Sequence, residues 1–462
     1  MTQHAAVAIH PVELPRDFDL LAMHATLPDR YPFLLESDAT ARDARTLVDA
    51  HDILFAFPGE TLRLDHNFQL HGPEATTGNH FLGALDAWWR RIRSPEGSVA
   101  SLPFTGGWFV FLGYELVRQI EPSIATPAPR AGPVAFATRI PVALVRNRRT
   151  RQAWIVAEND QSDAIECVRT DLATCRGRSW STTPPVRLVS GIIEPDPREF
   201  LAAVDEIRRR IARGDVYQVN LARHWRATLS PGAQAADVYG RLRRTNPAPY
   251  AGIVTLGDWT LVSSSPERLV RSRGGLVETR PIAGTRPTAD DPAKEDIQRR
   301  DLLANPKERA EHIMLIDLER NDLGRVSEPG SVEVDEFMGV ESYAHVHHIV
   351  SNVRGRLRRT VTPGQLIAAM FPGGTITGCP KVRCMEIIGE LEAAPRGPYT
   401  GSMGYLNLDG SCDLNILIRS FLVQDRELSF AAGSGIVADS EPVRELDETR
   451  AKAKGLRLAL GA

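Results

Sequence analysis

The chain is poor in cysteine. Only five cysteines occur in 462 residues, at positions 167, 175, 379, 384 and 412, and none forms a CxxC pair. That excludes a disulfide-framed scaffold and a cysteine-built structural zinc site, and it fits reduced thiols in a cytoplasm. Long apolar runs are missing too. The best candidate, residues 106–117, is too short for a bilayer and holds Glu115. The N-terminus, MTQHAAVAIHPVELPRD, lacks the basic start and long apolar stretch of a secretory signal. There is no excess of one charge either. The 55 basic and 58 acidic side chains give a net charge of -3, against the basic surplus of a nucleic-acid binder. No nucleic acid and no membrane is therefore expected as a partner. Arginines cluster at 208–210 and 354–359, and solvated faces explain them best. What remains is the make-up of a soluble globular protein, 42% hydrophobic and 24% charged, with ample chain for a large core.

Residues 179–197, SWSTTPPVRLVSGIIEPDP, read as a linker rich in Ser, Thr and Pro. They divide an N-terminal region, 1–185, from a C-terminal region, 190–462. After the linker, Phe200, Val204, Ile207 and Ile211 recur at helical spacing and predict a helix over 198–213, stopped by Gly214. Residues 216–222 predict a strand. Tyr217, Val219 and Leu221 lie on one face, and Gln218 and Asn220 on the other, facing water or a polar pocket. Further strands are expected at 252–262, 276–279, 347–353, 401–408, 415–423 and 428–432. Helices are expected at 307–320, 363–370, 381–391 and 442–460. Runs of strands with helices between some of them predict an α+β fold with large, mainly antiparallel sheets.

Carboxylates dominate the candidate chemistry. Glu308 and Glu311 share one helix face, as do Glu445 and Glu448, with Lys452 four residues on. Such pairs are usually solvated surface. If the two faces converge, their oxygens suit Mg²⁺. Glu267 follows an expected strand and is a candidate general acid with a raised pKa, although a solvated loop carboxylate is the commoner outcome. In His345-Val346-His347-His348 the last two residues point to opposite faces, so at most one serves a given site. Further ligands for zinc do not stand out.

Two glycine-rich stretches fail as nucleotide loops. In GGTITGCPK (373–381), Lys381 does not follow a glycine and no Ser or Thr follows it. In GSGIVA (433–438) the chain ends before the second strand that a dinucleotide fold requires. The glycines at 433 and 435 can still offer backbone N–H groups to an anion. Arg419 is a candidate bidentate carboxylate partner, or equally a structural ion pair.

These residues fall within stretches that resemble the chorismate-utilising enzymes. The stretches are GDVYQVNLAR (214–223), NPAPY (246–250), SSSPERLV (263–270), TRPIAGTRP (279–287), KERAEHIMLIDLERNDLGRV (307–326), HVHHIVSNV (345–353), FPGGTITGCPKVRCMEIIGELE (371–392), RGPYTGSMGY (396–405), NILIRS (415–420) and GSGIVADS (433–440). FLLESD (33–38) and LPFTGGWFVFLGYEL (102–116) agree more loosely. The resemblance implies an α+β sandwich of large antiparallel sheets with helices outside. It implies that Glu308, Glu311, Glu445 and Glu448 hold Mg²⁺ and that Glu267 protonates a departing C4 hydroxyl. Arg419, Tyr399 and the backbone of Gly433, Ser434 and Gly435 would bind the enolpyruvyl carboxylate of chorismate. Thr377, Thr285, His348 and Lys452 would complete the pocket.

The family also implies a choice of nucleophile. Its water-using members carry a Lys base where this chain has Gln218, and a neutral amide cannot deprotonate water. An aminating enzyme is therefore expected, fed with ammonia by a separate glutamine amidotransferase subunit. YQVNL, NPAPY, VHHIVS and FPGGTITG resemble the branch that makes 4-amino-4-deoxychorismate for p-aminobenzoate and folate. Ala283 replaces that branch's C2-attacking Lys and matches the anthranilate-forming branch, which is the alternative. A non-catalytic tryptophan-binding regulator is the alternative of another class. Glu36, Ser37, Pro247 and Tyr250 resemble the walls of a tryptophan pocket, and a packed strand without ligand is as good a reading of them.

Overall fold

The computed structural model describes residues 7–37, 50–77, 80–94, 102–129, 131–159, 161–180, 187–287, 291–342 and 346–461. Its strands form two sheets, antiparallel in every described pairing. The 12-stranded sheet runs in the order Val7–Val12, Ala153–Glu158, Val142–Asn147, His51–Ala56, Phe33–Glu36, Tyr250–Leu256, Trp259–Ser265, Ser420–Gln424, Glu427–Ile436, Gln218–Leu229, Val189–Ile193; Gly378–Cys379 pairs with Gln218–Leu229 off that path. The 11-stranded sheet runs Ile282–Pro287, Val346–Arg356, Leu276–Arg280, Arg268–Arg273, Cys412–Asn415, Ser402–Asn407, Gly107–Leu112, Pro133–Ile140, Thr61–Asp65, Leu70–His71, with Glu333–Ser342 beside Val346–Arg356. Strands from both sides of residue 185 enter both sheets: Phe33–Glu36 pairs with Tyr250–Leu256, and Gly107–Leu112 with Ser402–Asn407.

An aromatic layer fills the space between the sheets. Phe33, Phe55 and Trp259 come from one sheet and Phe109, Phe111 and Phe136 from the other. Phe33 stacks on Phe109 with ring centroids 4.3 Å apart, and Phe111 meets Trp259 edge-on at 5.0 Å. Each such pair contributes roughly 0.5–1.5 kcal/mol beyond its buried area. Period-two alternation explains the uninterrupted apolar run in Gly107–Leu112. Phe109 and Phe111 face this layer, while Trp108, Val110 and Leu112 face the helices Phe81–Ile92 and Pro363–Met370 on the outside. Helices Ala235–Thr245 and Pro442–Leu460 cover the outer face of the larger sheet through Tyr239 and Leu456. The expected α+β sandwich with outer helices is what the chain forms. No helix among the described residues is long and apolar enough to cross a membrane.

The helix boundaries follow their caps. Helix Pro197–Ala212 has Pro at its first turn, an Asp196 cap 2.9 Å from the Arg198 amide, and a buried Phe200–Val204–Ile207 stripe. Helix Pro306–Gly324 starts at Asn305, whose side chain accepts from the amides of Lys307 and Glu308. Lys381–Leu391 and Pro442–Leu460 coincide with the expected helices.

Three strand expectations need correction. Residues 252–262 are two strands, Tyr250–Leu256 and Trp259–Ser265, joined by a hairpin in which Gly257 has φ +62°. Residues 415–423 are likewise broken, because Arg419 adopts φ +53° between Cys412–Asn415 and Ser420–Gln424. Gly433–Ser434–Gly435 is not a loop after a strand. It lies inside Glu427–Ile436, opposite Ala222, Leu221 and Asn220. Of the expected linker, Val189–Ile193 is a strand, and 181–186 falls outside the described residues.

Candidate active site

The site grows from the pairing of Gln218–Leu229 with Glu427–Ile436. Two glycines let side chains lie flat against this ladder. A Cβ on Gly435 would stand 2.3 Å from Gln218 Nε2, and one on Gly433 would stand 2.5 Å from Asn220 Oδ1 and 2.8 Å from the Tyr399 hydroxyl. Any larger residue would evict those polar groups. The Ser420–Gln424 strand pairs only as far as Phe430, and past it the Gly433 carbonyl accepts from Lys452 Nζ at 3.0 Å. Gln218 and Asn220 are both buried, so the polar-pocket reading of this face holds. Gln218 Oε1 and Asn220 Oδ1 have no hydrogen-bond partner among the described residues.

Carboxylates reach this floor from two helices. From Pro306–Gly324, Glu311 Oε1 accepts from Gln218 Nε2 at 3.0 Å, and Glu308 lies against Gly284, where a Cβ would stand 2.9 Å from its Oε2. From Pro442–Leu460, Glu445 accepts from the Ser434 hydroxyl, and Glu448 pairs with Lys452 at 2.8 Å. Burial, then the charges of Glu308 and Glu448, hold the Glu311 carboxyl above its usual range. Partial burial pulls Glu448 upward, but Lys452 outweighs it and holds that carboxyl low. Three of the four expected glutamates thus sense one another, and Glu445 joins through Ser434. As the side chains stand, no three His, Cys, Asp or Glu residues among those described are grouped closely enough to hold a metal ion.

Glu267 lies between the strands Trp259–Ser265 and Arg268–Arg273. It is 4% exposed, and its Oε1 is buried without a partner among the described residues. Burial pushes its pKa up to about 8; the Thr375 hydroxyl opposes this, the charge of Glu319 adds to it, and the Ile282 backbone and Arg419 oppose it again. At that burial it is not a solvated loop carboxylate, and its surroundings favour the protonated form. His348 is buried. Its Nδ1 lies 3.1 Å from the Gly284 carbonyl, which can only accept, so Nδ1 bears the hydrogen and Nε2 faces Arg419 Nη2 at 3.5 Å. Burial and Arg419 lower its pKa to about 3, so the ring is neutral. His347 points away to the Ser342 hydroxyl, as expected for alternate faces, and His345 lies outside the described residues.

The other expected residues scatter. Ala283 is buried beside Gly284 on a strand paired with His348's strand. The Thr285 backbone pairs with His348, and its side chain lies outside the described residues. The Thr377 hydroxyl is occupied by the Gly373 carbonyl at 2.9 Å. Glu36, Ser37 and Tyr250 line a separate cavity of about 290 Å³ with Met403 and Tyr405, whose lining includes Pro249 in place of Pro247. Glu36 is tied there by Tyr239, Arg148 and Arg243 at 2.7, 3.0 and 3.2 Å.

Sequence reasoning passed over Arg396 and Glu319. The buried Arg396 pairs with Glu392, donates to the carbonyls of Asn220 and Ile376, and stacks its cation 5.7 Å from the Tyr399 ring. Its only signal was its place in RGPYTGSMGY. Glu319 sits four residues past Leu315 on the inward stripe that carries Glu308 and Glu311.

The sandwich thus brings the carboxylates of two helices to one buried polar face, with Glu267 feeling the charge of Arg419. The chain belongs to the chorismate binding enzyme family, which it matches over residues 38–457. It is 38% identical to aminodeoxychorismate synthase component 1 of Bacillus subtilis, over 82% of this chain and 82% of that protein. It is 36% identical to anthranilate synthase component 1 of Streptomyces coelicolor, over 99% and 89%. The structure of anthranilate synthase component I from Streptococcus pneumoniae superposes with a TM-score of 0.77 at 30% identity, covering 88% of this chain and 92% of that one.

Proposed function

We propose that the chain converts chorismate and ammonia to 4-amino-4-deoxychorismate, with Mg²⁺ as cofactor and a separate glutamine amidotransferase as ammonia donor. The observation that carries the aminating chemistry is Gln218, a buried neutral amide hydrogen-bonded to Glu311. No base stands there to activate water, whereas ammonia brings its own lone pair. YQVNL, NPAPY, VHHIVS and FPGGTITG support attack at C4. The donor set fits Mg²⁺ in kind, being all carboxylate, and the ion would relieve the repulsion that Glu311 feels from Glu308 and Glu448. Glu308, Glu311, Glu445 and Glu448 would hold it, and when bound it would supply a charge for a substrate carboxylate. Arg419, Tyr399 and the strand around Gly433 would bind the second carboxylate. Glu267, already protonated, would give its proton to the departing hydroxyl.

Ala283 favours a second reading, anthranilate formation. It offers no amine for covalent attack at C2, and relatives bearing either name are about equally similar. A tryptophan would fit the cavity beside Ser37 and Tyr250 under both readings.

The deciding experiment incubates the chain with chorismate, Mg²⁺ and an ammonium salt at mildly alkaline pH, with and without aminodeoxychorismate lyase. The expected result is p-aminobenzoate only when lyase is present. Fluorescent anthranilate and pyruvate without lyase would replace the first reading by the second.

A further inference from the structure

The stretch SSSPERLV carries three serines that the proposed chemistry leaves unused. Ser263, Ser264 and Ser265 end the strand Trp259–Ser265, and each is 0% exposed. A buried hydroxyl is costly unless it is hydrogen-bonded.

These serines stand where the ladder to Ser420–Gln424 runs out. Ser263 is the last residue paired in register with that strand, opposite Ser420. Arg419 then turns left-handed at φ +53°, and the chain before it leaves the ladder. Past that point single contacts replace regular pairing. The Ser264 amide donates to the Arg419 carbonyl at 3.2 Å. Ser265 reaches across with its side chain.

Three hydrogen bonds close a ring around Pro266. The Ser265 hydroxyl donates to the Ile416 carbonyl at 2.5 Å. The Ile416 amide donates to the Glu267 carbonyl at 3.0 Å. The Glu267 amide donates back to the Ser265 hydroxyl oxygen at 3.3 Å. Within the ring, Pro266 has a fixed φ and no N–H of its own to compete. One hydroxyl therefore grips a neighbouring segment and the acid's own backbone together. Ser264, beside it, gives its hydroxyl to the Asn246 carbonyl instead.

We propose that Ser265 sets the position of the Glu267 carboxyl, by tying the turn that carries this acid to the Ile416 backbone, three residues from Arg419. The inference rests on the reading of Glu267 as proton donor. That role needs the acid within hydrogen-bond reach of a departing oxygen while Arg419 holds a carboxylate of the same molecule. A tether shared by the two segments keeps acid and arginine at a fixed separation. Glu267 Oε1 has no hydrogen-bond partner among the described residues, which leaves the placing of that oxygen to the backbone that carries it. Ser265 is a positioning residue, because it acts only through Glu267.

The test is Ser265→Ala, alone and combined with Glu267→Gln. Alone it should lower ammonia-dependent kcat about tenfold and leave chorismate KM within about twofold, since a misplaced acid fails in the transition state and not in binding. On the Glu267→Gln background it should lower kcat by less than about twofold, because residues that act as a unit are not additive. A general packing defect would multiply instead. A parent-like kcat in Ser265→Ala, a loss confined to KM, or the same fold loss on both backgrounds overturns the proposal. Infrared titration of the Glu267 carboxylic C=O band, assigned with Glu267→Gln, gives a readout without turnover. Its midpoint should fall from about 8 in the parent, by about one pH unit in Ser265→Ala, as the loosened turn admits water. An unmoved midpoint overturns the proposal. Chorismate left untouched by the parent overturns the functional reading instead, and the infrared midpoint then decides alone whether Ser265 places the acid.

Discussion

Gln218 and Glu311 meet across the site at 3.0 Å, amide nitrogen to carboxylate oxygen, joining a strand of the larger sheet to the acidic helix. The amide is Glu311's direct hydrogen-bond donor amid the charges of Glu308 and Glu448. Gln218→Leu should lower stability by roughly 1–2 kcal/mol in urea denaturation, since Glu311 loses that donor. It should also raise the Mg²⁺ concentration needed for half-maximal turnover, because a more basic carboxylate lets protons compete with the ion. A Mg²⁺ titration at two pH values checks this.

Glu267→Gln should cut turnover by about 10²–10⁴-fold, the usual worth of a general acid. Its effect on stability has the opposite sign at alkaline pH. Folding raises the Glu267 pKa from 4.5 to about 8. The stability it lends is intact below pH 4.5 and is lost as pH rises through 8. The glutamine variant has no such loss. Thermal melts from pH 5 to 9 should show the parent falling relative to the variant and the variant ahead at the alkaline end.

Gly435→Ala tests the close fit of the strand. Its Cβ would stand 2.3 Å from Gln218 Nε2, so the amide must swing off Glu311. A loss of about 1–3 kcal/mol is expected, with a larger fall in kcat/KM for chorismate than Gln218→Leu produces. Differential scanning calorimetry and steady-state rates give both numbers.

Glu36→Gln should cost about 3 kcal/mol, the low end for breaking a buried ion pair, since Arg148 and Arg243 are only partly covered. Ser37→Phe should instead fill the 290 Å³ cavity and leave those pairs intact. Calorimetric titration with tryptophan should then show binding to the parent and none to Ser37→Phe.

Local signals made much of this legible. Pro442 at the first turn and Gly461 at φ +77° bound one helix, and a Phe–Val–Ile stripe marked another. The hairpin at Gly257 escaped because apolar residues flank it on both sides, so the run reads as one strand. Arg419 looked like a strand residue because sequence carries no mark of its left-handed backbone. The meeting of Glu311 and Glu308 with Glu448 depends on how two helices distant in the chain, Pro306–Gly324 and Pro442–Leu460, approach one strand pair, which spacing cannot express. The burial of Glu319 was invisible for the same reason. Its burial comes from the Gly374 turn, and its partners from two other elements.

The threading of both sheets by strands from either side of residue 185 sets the order in which this molecule can be completed. The Thr105 amide is held by the Asn407 side chain, 302 residues away, and the Trp89 ring nitrogen by the Leu408 carbonyl, 319 residues away. On a ribosome, the apolar faces of Gly107–Leu112 wait for most of the chain before their partner strand Ser402–Asn407 emerges. Such distant contacts make for slow folding and long exposure of sticky surface. Fragments cut between 181 and 186 should therefore need one another, refolding to an active pair when mixed and aggregating when kept apart.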